Sequence, residues 1–246
     1  MYKDLKEKFA FTLSEGATHV GIFNNTRRVG FTLAEVLITL GIIGIVSAMT
    51  IPTLINNYQK KVTVNKLKQA YSLLKQAVQL SEVENGFKET WNFSFEEDTR
   101  YEANKRIAET YFIPYLKTSK KYEQGQGHQF KYLGGLDWLS FEPIFSFTLT
   151  NGMTVFIHTQ DTWVPIYVDI NAGSAPNIVG KDVFVFELHK TSKRGLDLYG
   201  DNTNNTDELM ERIVTECSHS DMGRPGHTCG ALIKYSGWKI TDDYPW

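Results

Sequence analysis

The chain has 246 residues, of which 41% are hydrophobic and 22% charged, a balance typical of globular proteins. The first thirty residues carry five of the 26 basic residues and three of the 28 acidic ones, which leaves 21 bases and 25 acids for the remainder. This slightly acidic remainder has no global attraction for nucleic acid, so we expect no nucleic-acid partner.

The first element along the chain is an apolar segment from Phe31 to Ile51, interrupted by one charged residue, Glu35. About 21 helical residues span roughly 30 Å, the hydrocarbon thickness of a bilayer. A secretory signal would place its cleavage site after the apolar run, and a simple anchor would seldom keep a carboxylate in lipid. Because Arg27 and Arg28 directly precede the run, the sequence favours a cytoplasmic N-terminus.

This segment resembles the N-terminal signature of type IV prepilins and type II secretion pseudopilins. The resemblance rests on Arg27-Arg28-Val29-Gly30, followed by Phe31-Thr32-Leu33-Ala34-Glu35-Val36-Leu37-Ile38. In that family a prepilin peptidase in the membrane cuts after the glycine and methylates the new N-terminal amine. The resemblance therefore implies cleavage between Gly30 and Phe31, and N-methylation of Phe31.

The resemblance also assigns roles in assembly to Glu35 and Pro52. Glu35 would be the filament-assembly residue, because the positive amine of Phe31 on a neighbouring subunit would neutralise its carboxylate. Pro52 stands where such subunits have a helix-bending proline, and it removes a backbone donor as the helix leaves the bilayer.

Four regions follow from this interpretation. Residues 1–30 are a cytoplasmic leader, 31–52 a transmembrane and assembly helix, 53–86 an amphipathic continuation of that helix, and 87–246 an extracytoplasmic globular domain. The leader is long for this branch of the family. Residues 11–15 repeat part of the motif, and we interpret this repeat as non-functional because Ala10 stands where the motif has glycine. The implied partners are prepilin peptidase, other pilin or pseudopilin subunits, the inner-membrane assembly machinery and the membrane itself.

Helical periodicity continues beyond the apolar segment. A stripe of apolar residues at helical spacing predicts a helix to about Glu84, stopped by Asn85-Gly86, with the stripe covering a sheet: Leu54, Tyr58, Val62, Leu67, Ala70, Tyr71, Leu74, Ala77 and Val78. Residues 87–142 lack a clear period, apart from a short helix predicted from Glu102 to Phe112 and ended by Pro114.

Strand patterns dominate the second half of the chain. Phe145 to Thr150 and Met153 to Thr159 predict a hairpin about Asn151-Gly152. Two more strands are predicted at Trp163 to Ile170, with Pro165 marking an edge or a bulge, and at Val183 to Leu188. The C-terminal segment from Gly237 resembles the last strand and tail of pilin-like proteins. The predicted fold class is α+β, a long N-terminal helix packed on an antiparallel sheet.

The loop between the last two of these strands is rich in oxygen donors. It is similar to a stretch of related pilin-like proteins, with Asp169, Asn171, Asn177 and Asp182 as the candidate ligands of a calcium ion. Asx residues also cap turns without any metal, which is the commoner case. Calcium is the one cofactor that the sequence suggests.

Two cysteines, Cys217 and Cys229, lie near the C-terminus, each next to or near a histidine. Free thiolates seldom persist outside the cytoplasm and the spacing matches no common zinc framework, so we expect a disulfide. Zinc ligation and free thiols are the alternatives.

The sequence has no nucleophile elbow, phosphate loop or metal-protease helix, so we do not expect an enzyme. The predicted function is a structural subunit of a type IV pilus or a type II secretion pseudopilus, located first in the inner membrane with its C-terminal domain outside the cytoplasm and then in the filament. The alternative is a minor tip pilin that acts as a binding module for adhesion, DNA uptake or exported proteins, using the aromatic residues between Trp91 and Trp138. A third hypothesis is a membrane-anchored protein that keeps its leader.

Overall fold

The computed structural model describes residues 30–127, 129–137, 144–191, 195–201, 206–219 and 223–246. Residues 1–29 of the predicted leader, including the partial repeat of the cleavage motif, lie outside these residues. The chain divides into two units, one that ends at Met49 and one that spans Thr50–Trp246. Its regular elements are α1 (Leu33–Asn85), α2 (Arg100–Tyr111), β1 (Thr118–Tyr122), β2 (Phe145–Leu149), β3 (Thr154–Ile157), β4 (Trp163–Asp169), β5 (Val183–His189), β6 (Leu196–Leu198), α3 (Thr206–Glu216) and α4 (Cys229–Tyr235).

Helix α1 contains 53 residues and includes Pro52 in its interior. It ends where the sequence predicts, because Gly86 adopts the left-handed backbone (φ 75°) that stops a helix. Its buried face is formed by Thr63, Val64, Leu67, Ala70, Leu74, Ala77, Val78 and Ser81. The predicted stripe began too early, since Leu54 and Tyr58 are exposed.

In the part of the chain that the structure describes, six strands form one antiparallel sheet in the order β1 to β6, so each strand pairs with its neighbour in sequence. The predicted hairpin is confirmed as β2 and β3, and the two further predicted strands as β4 and β5. The short edge strands β1 and β6 were not predicted. A long helix packed on an antiparallel sheet confirms the α+β prediction.

Pro165 was wrongly predicted to mark an edge strand or a bulge, because β4 lies inside the sheet between β3 and β5 and pairs with β5 in unbroken register. The β3–β4 pairing ends with Ile157 opposite Ile166, so Pro165 lies just beyond the last pair on that side. Its carbonyl accepts the backbone N–H of His158 at 3.2 Å. The missing N–H is tolerated here because the β3–β4 ladder ends at this position and the bond from His158 uses only the carbonyl of Pro165.

Both faces of the sheet are buried. On the inner face, alternate residues of β3, β4 and β5, such as Ile157, Ile166 and Phe186, share one core with α1 and α2. On the outer face, Phe156, Tyr167 and Val185 form a second core with residues of neighbouring loops. Burial on both faces explains why β4 and β5 are apolar almost throughout.

The aromatic residues after α1 belong to the main core. The indole of Trp91 stacks on the ring of Tyr111 with centroids 4.3 Å apart, and Phe93 meets both rings edge to face. Trp91 and Phe93 are fully buried, so they are not available to an external ligand as the tip-pilin hypothesis supposed. Trp138 lies outside the described residues. The predicted helix in this region is confirmed as α2, capped by the hydroxyl of Thr99, which accepts the backbone N–H of Glu102.

The predicted last strand is wrong. Gly237 and Trp238 both adopt positive φ (70° and 60°), and their amides donate to the carbonyls of Lys234 and Ile233 at 3.1 and 2.8 Å. These bonds close the C-terminus of α4 instead of extending a strand. The Trp238 ring then packs edge-on against Tyr71 of α1, with centroids 5.7 Å apart.

Candidate functional site

The first half of α1 is long and apolar enough to cross a membrane, judged by its length and composition. In the single chain its apolar side chains are exposed to solvent, for example those of Leu37, Ile42 and Met49. A continuous exposed apolar surface of this kind marks a membrane or protein interaction site. This unit therefore needs either lipid or partner helices around it.

The N-terminus of α1 is closed by a capping box of Thr32 and Glu35. The hydroxyl of Thr32 accepts the backbone N–H of Glu35 at 3.2 Å. In return, Oε2 of Glu35 accepts the backbone N–H and the hydroxyl of Thr32, both at 2.8 Å. This reciprocal pair satisfies donors that a helix N-terminus otherwise leaves without a helical partner.

Thr32 is a site residue that the sequence analysis missed. The signal was present, because a threonine followed three residues later by a glutamate before an apolar run is the pattern of a capping box. A carboxylate offers about four acceptor positions, so the cap leaves Glu35 capacity for a further donor. Capping the helix and pairing with a neighbour's amine are therefore compatible roles.

The predicted cleavage site lies directly before this cap. Gly30 and Phe31 are exposed and non-helical, and the helix begins two residues later. A peptidase needs an accessible backbone, and both residues of the Gly30–Phe31 bond are exposed. The predicted assembly residue Pro52 lies within α1, about five turns further along.

Cys217 and Cys229 form a disulfide that ties the end of α3 to the start of α4. Both cysteines are buried, and a Cβ added at Gly180 would lie 2.9 Å from Sγ of Cys229. The bond therefore packs directly against the loop that precedes β5. The zinc and free-thiol alternatives do not describe this structure.

The four predicted calcium ligands lie together in the loop between β4 and β5. Asp182 accepts the backbone N–H groups of Asn177 and Ile178 at 2.8 and 2.7 Å, and Asp169 accepts those of Asn171 and Gly173 at 2.7 and 3.0 Å. These hydrogen bonds hold the turns of the loop in place. Burial raises the pKa of Asp182, and the nearby charge of Asp169 adds to this rise, whereas the hydrogen bonds to Asp182 oppose it.

Two amide oxygens of the same loop are candidate ligands for a cation. Within the described structure, Oδ1 of Asn171 and Oδ1 of Asn177 are buried and have no hydrogen-bond partner. Such atoms cost free energy that a cation would offset, so the donor set fits calcium. Two carboxylates and two amide oxygens are fewer than the six to eight ligands calcium takes, and no cluster of three or more His, Cys, Asp or Glu occurs in the described ranges. Calcium stays a prediction.

Two family models match the chain. The first, a family of unknown function (DUF6613), matches residues 53–246. The chain belongs to this family. The second, the prokaryotic N-terminal methylation motif, matches residues 27–51. No curated protein and no solved structure matches the chain.

The methylation motif shows that this member of the family has a type IV prepilin-like N-terminus. The chain is thus a type IV pilin-like or pseudopilin-like protein. The motif is that of structural pilin subunits, which are not enzymes, and it implies processing by prepilin peptidase and assembly with other pilin subunits. Together with the apolar half of α1, it indicates anchoring in a membrane.

Proposed function

We propose that this chain is a structural subunit of a type IV pilus or a type II secretion pseudopilus. The observation that carries the proposal is the N-terminal methylation motif over residues 27–51, which coincides with the exposed apolar half of α1. A helix of this kind has two stable environments, a lipid bilayer and a bundle of like helices. A pilus subunit moves from the first to the second.

The proposed sequence of events begins with insertion in the inner membrane, with the C-terminal domain outside the cytoplasm. Prepilin peptidase cuts the Gly30–Phe31 bond, and the freed amine of Phe31 is methylated. The carboxylate of Glu35 on one subunit then pairs with the amine of Phe31 on its neighbour as the helices bundle. A charge pair inside an apolar bundle favours the register of neighbouring helices that brings the two charges together, because an unpaired charge there is strongly disfavoured.

The proposal is tested by blocking the cut. Gly30→Leu should leave the leader attached and remove the subunit from sheared filaments, because a bulky side chain then occupies the position before the cleaved bond. Gly16→Leu makes the same chemical change within the leader and serves as the matched control. Both variants are compared with the wild type by immunoblot of membranes and of sheared filaments.

The expected result is uncleaved Gly30→Leu in membranes only, with Gly16→Leu cleaved and incorporated like the wild type. Wild-type levels of Gly30→Leu in filaments would contradict the proposal. So would the absence of wild-type chain from filaments in cells that assemble them.

A further inference from the structure

The part of α1 that follows the apolar segment is strongly basic. Between Glu35 and Glu82 the chain has no acidic residue, whereas it has five lysines: Lys60, Lys61, Lys66, Lys68 and Lys75. Neither the capping box nor the cleavage site involves these lysines. A run of positive charge on a helix that leaves a membrane is a candidate surface for binding anions.

Two segments that are distant in sequence build a groove at this place. The basic groove has a volume of about 530 Å³ and is lined by one face of α1 and by the turn that follows α4. Lys60, Lys61 and Lys68 line it from the helix, and Lys239 lines it from the turn. None of the described lining residues is an aspartate or a glutamate. The groove therefore collects four positive side chains.

Packing contacts hold the turn against the helix. The ammonium of Lys68 lies 5.6 Å from the centre of the Trp238 ring, a cation–π contact between the two walls of the groove. The same ring packs against Tyr71 of α1, and Lys239 is the next residue along the chain. The fold thus sets where these positive charges lie.

The charges of the basic groove are not neutralised by the described part of the chain. Among the described residues, none of these four lysines forms an ion pair. Lys61, Lys68 and Lys239 are exposed, and Lys60 is half-buried. Each ammonium group is a strong donor with up to three N–H groups, and like charges held close together repel each other. An anionic partner would offset this repulsion.

The groove begins within reach of a bilayer surface. Counted along the helix, Lys61 lies about 15 Å beyond Ile51, where the apolar segment ends. The headgroup layer extends about 5–8 Å beyond the hydrocarbon, and charges act over about 8 Å at physiological salt. Side chains on a helix lean toward its N-terminus, which here is toward the apolar segment. Lys60 and Lys61 are therefore close enough to attract lipid headgroups.

The residues between the apolar segment and the lysines suit a membrane interface. Leu54, Ile55 and Tyr58 are all exposed. Exposed apolar side chains are stabilised at the edge of a bilayer, and tyrosine is enriched there because its ring is apolar and its hydroxyl is polar. The order along the helix is apolar, then aromatic, then basic. That order is expected where a helix leaves a bilayer.

We propose that the basic groove binds the phosphate groups of anionic phospholipid headgroups, through Lys60 and Lys61 at its end nearest the apolar segment. Such contacts fix the depth at which the helix leaves the bilayer. The inference rests on membrane anchoring and goes beyond filament assembly, because it concerns the chain while it is in the membrane. An acidic protein surface is the alternative partner, and it is less favoured because these two lysines adjoin the membrane segment.

Three lysines of α1 form a series of increasing distance from the membrane. Lys61, Lys68 and Lys75 are each seven residues apart, so they lie on nearly the same face at about 15, 26 and 36 Å beyond Ile51. Tilt of the helix shortens all three distances in proportion and keeps their order. Because attraction to a membrane surface falls off within a Debye length, removing the charge should matter most at Lys61 and not at all at Lys75.

The test is the lipid preference of the full chain in nanodiscs that contain equal amounts of phosphatidylglycerol and phosphatidylcholine. Native mass spectrometry counts the lipids of each kind that stay bound to the chain. Lys61→Gln and Lys60→Gln should each lower the ratio of bound phosphatidylglycerol to phosphatidylcholine about twofold to fivefold. Lys68→Gln should lower it less than about twofold, and Lys75→Gln, the matched control, should leave it unchanged.

Two further controls isolate the electrostatic contribution of the groove. Arg27 and Arg28 precede the apolar segment and also attract anionic lipid, so the readout is the loss in each variant relative to the wild type. In about 1 M ammonium acetate, where the Debye length is about 3 Å, the difference between Lys61→Gln and the wild type should disappear. Circular dichroism checks that each variant is folded.

Three results would overturn the inference. The first is a wild-type chain without preference for phosphatidylglycerol, and the second is a loss at Lys68 or Lys75 as large as that at Lys61. The third is an unchanged preference in Lys60→Gln and Lys61→Gln together with less of these variants in filaments, which would assign the groove to an acidic protein partner. The lipid ratio does not depend on cleavage or on filament incorporation, so failure here is distinguishable from failure of the proposed function.

Discussion

The packing of α1 on the sheet can be tested by one substitution at three places on the helix. Leu67 and Leu74 are fully buried in the core, whereas 53% of Leu80 is exposed on the same helix. Leu→Ala removes three carbon atoms, which at about 0.8 kcal/mol each gives a transfer contribution of about 2.4 kcal/mol. The cavity left behind raises the expected loss at Leu67 and Leu74 to about 3–4 kcal/mol.

Leu80→Ala is the matched control and should change the free energy of unfolding by less than about 0.5 kcal/mol. The assay is equilibrium urea unfolding of the full chain in detergent, followed by tryptophan fluorescence, since Trp91 is buried in the same core. Equal losses at Leu67 and Leu80 would refute the assigned buried face. A loss below about 1 kcal/mol at both Leu67 and Leu74 would refute the packing of the helix on the sheet.

Three further predictions concern the capping box, the disulfide and the loop before β5. Glu35→Ala should leave insertion and cleavage intact but sharply reduce the amount of subunit in filaments relative to that in membranes. Thr32→Ala, which removes only the hydroxyl cap, should reduce this ratio less. Equal defects in the two variants would mean that Glu35 acts only as a helix cap. Reducing the bond between Cys217 and Cys229, 12 residues apart, should cost about 3 kcal/mol of unfolding free energy, measured by urea titration with and without reductant, and an unchanged midpoint would contradict this. Calcium should raise the midpoint of thermal unfolding of the wild type but not of Asp182→Asn. Because burial raises the pKa of Asp182, protons should compete with calcium as the pH falls through that pKa. No effect of calcium on the midpoint of the wild type would exclude the site.

The elements that could be predicted from sequence are those with a strong local signal. The end of α1 at Asn85-Gly86 and the hairpin about Asn151-Gly152 each depend on a glycine with positive φ. Because glycine adopts positive φ without a steric penalty, it marks a helix end or a turn in the sequence itself. Strands β4 and β5 could be predicted from their apolar runs, which arise because both faces of the sheet are buried.

The elements that were missed depend on distant partners. The edge strand β1 is mostly exposed and polar, so its sequence carries no alternation, and only its pairing with β2 makes it a strand. Trp238 reads as a strand residue by propensity, but the carbonyl of Ile233 and the ring of Tyr71 hold it in a helix-capping turn. Tertiary contacts overrode local preference in both cases.

The candidate sites divide in the same way. The Gly30–Phe31 bond and Glu35 lie in one contiguous motif, so the sequence alone proposes both, and their roles stay predictions. The acidic loop of Asp169 and Asp182 is also local, although its hydrogen bonds had to be seen before its fit to a cation could be judged. The close packing of the disulfide against Gly180 joins segments that are distant in sequence, and no local pattern could have predicted it.

The central claim is that the chain becomes a filament subunit by losing its leader. Its most direct test is intact-mass and N-terminal peptide analysis of the chain recovered from sheared filaments of cells that express it at its natural level. We expect a chain that begins with Phe31, N-methylated, and lacks the first thirty residues. A filament-associated chain that still carries Gly30 and the leader, or one whose N-terminus lies at another residue, would contradict it.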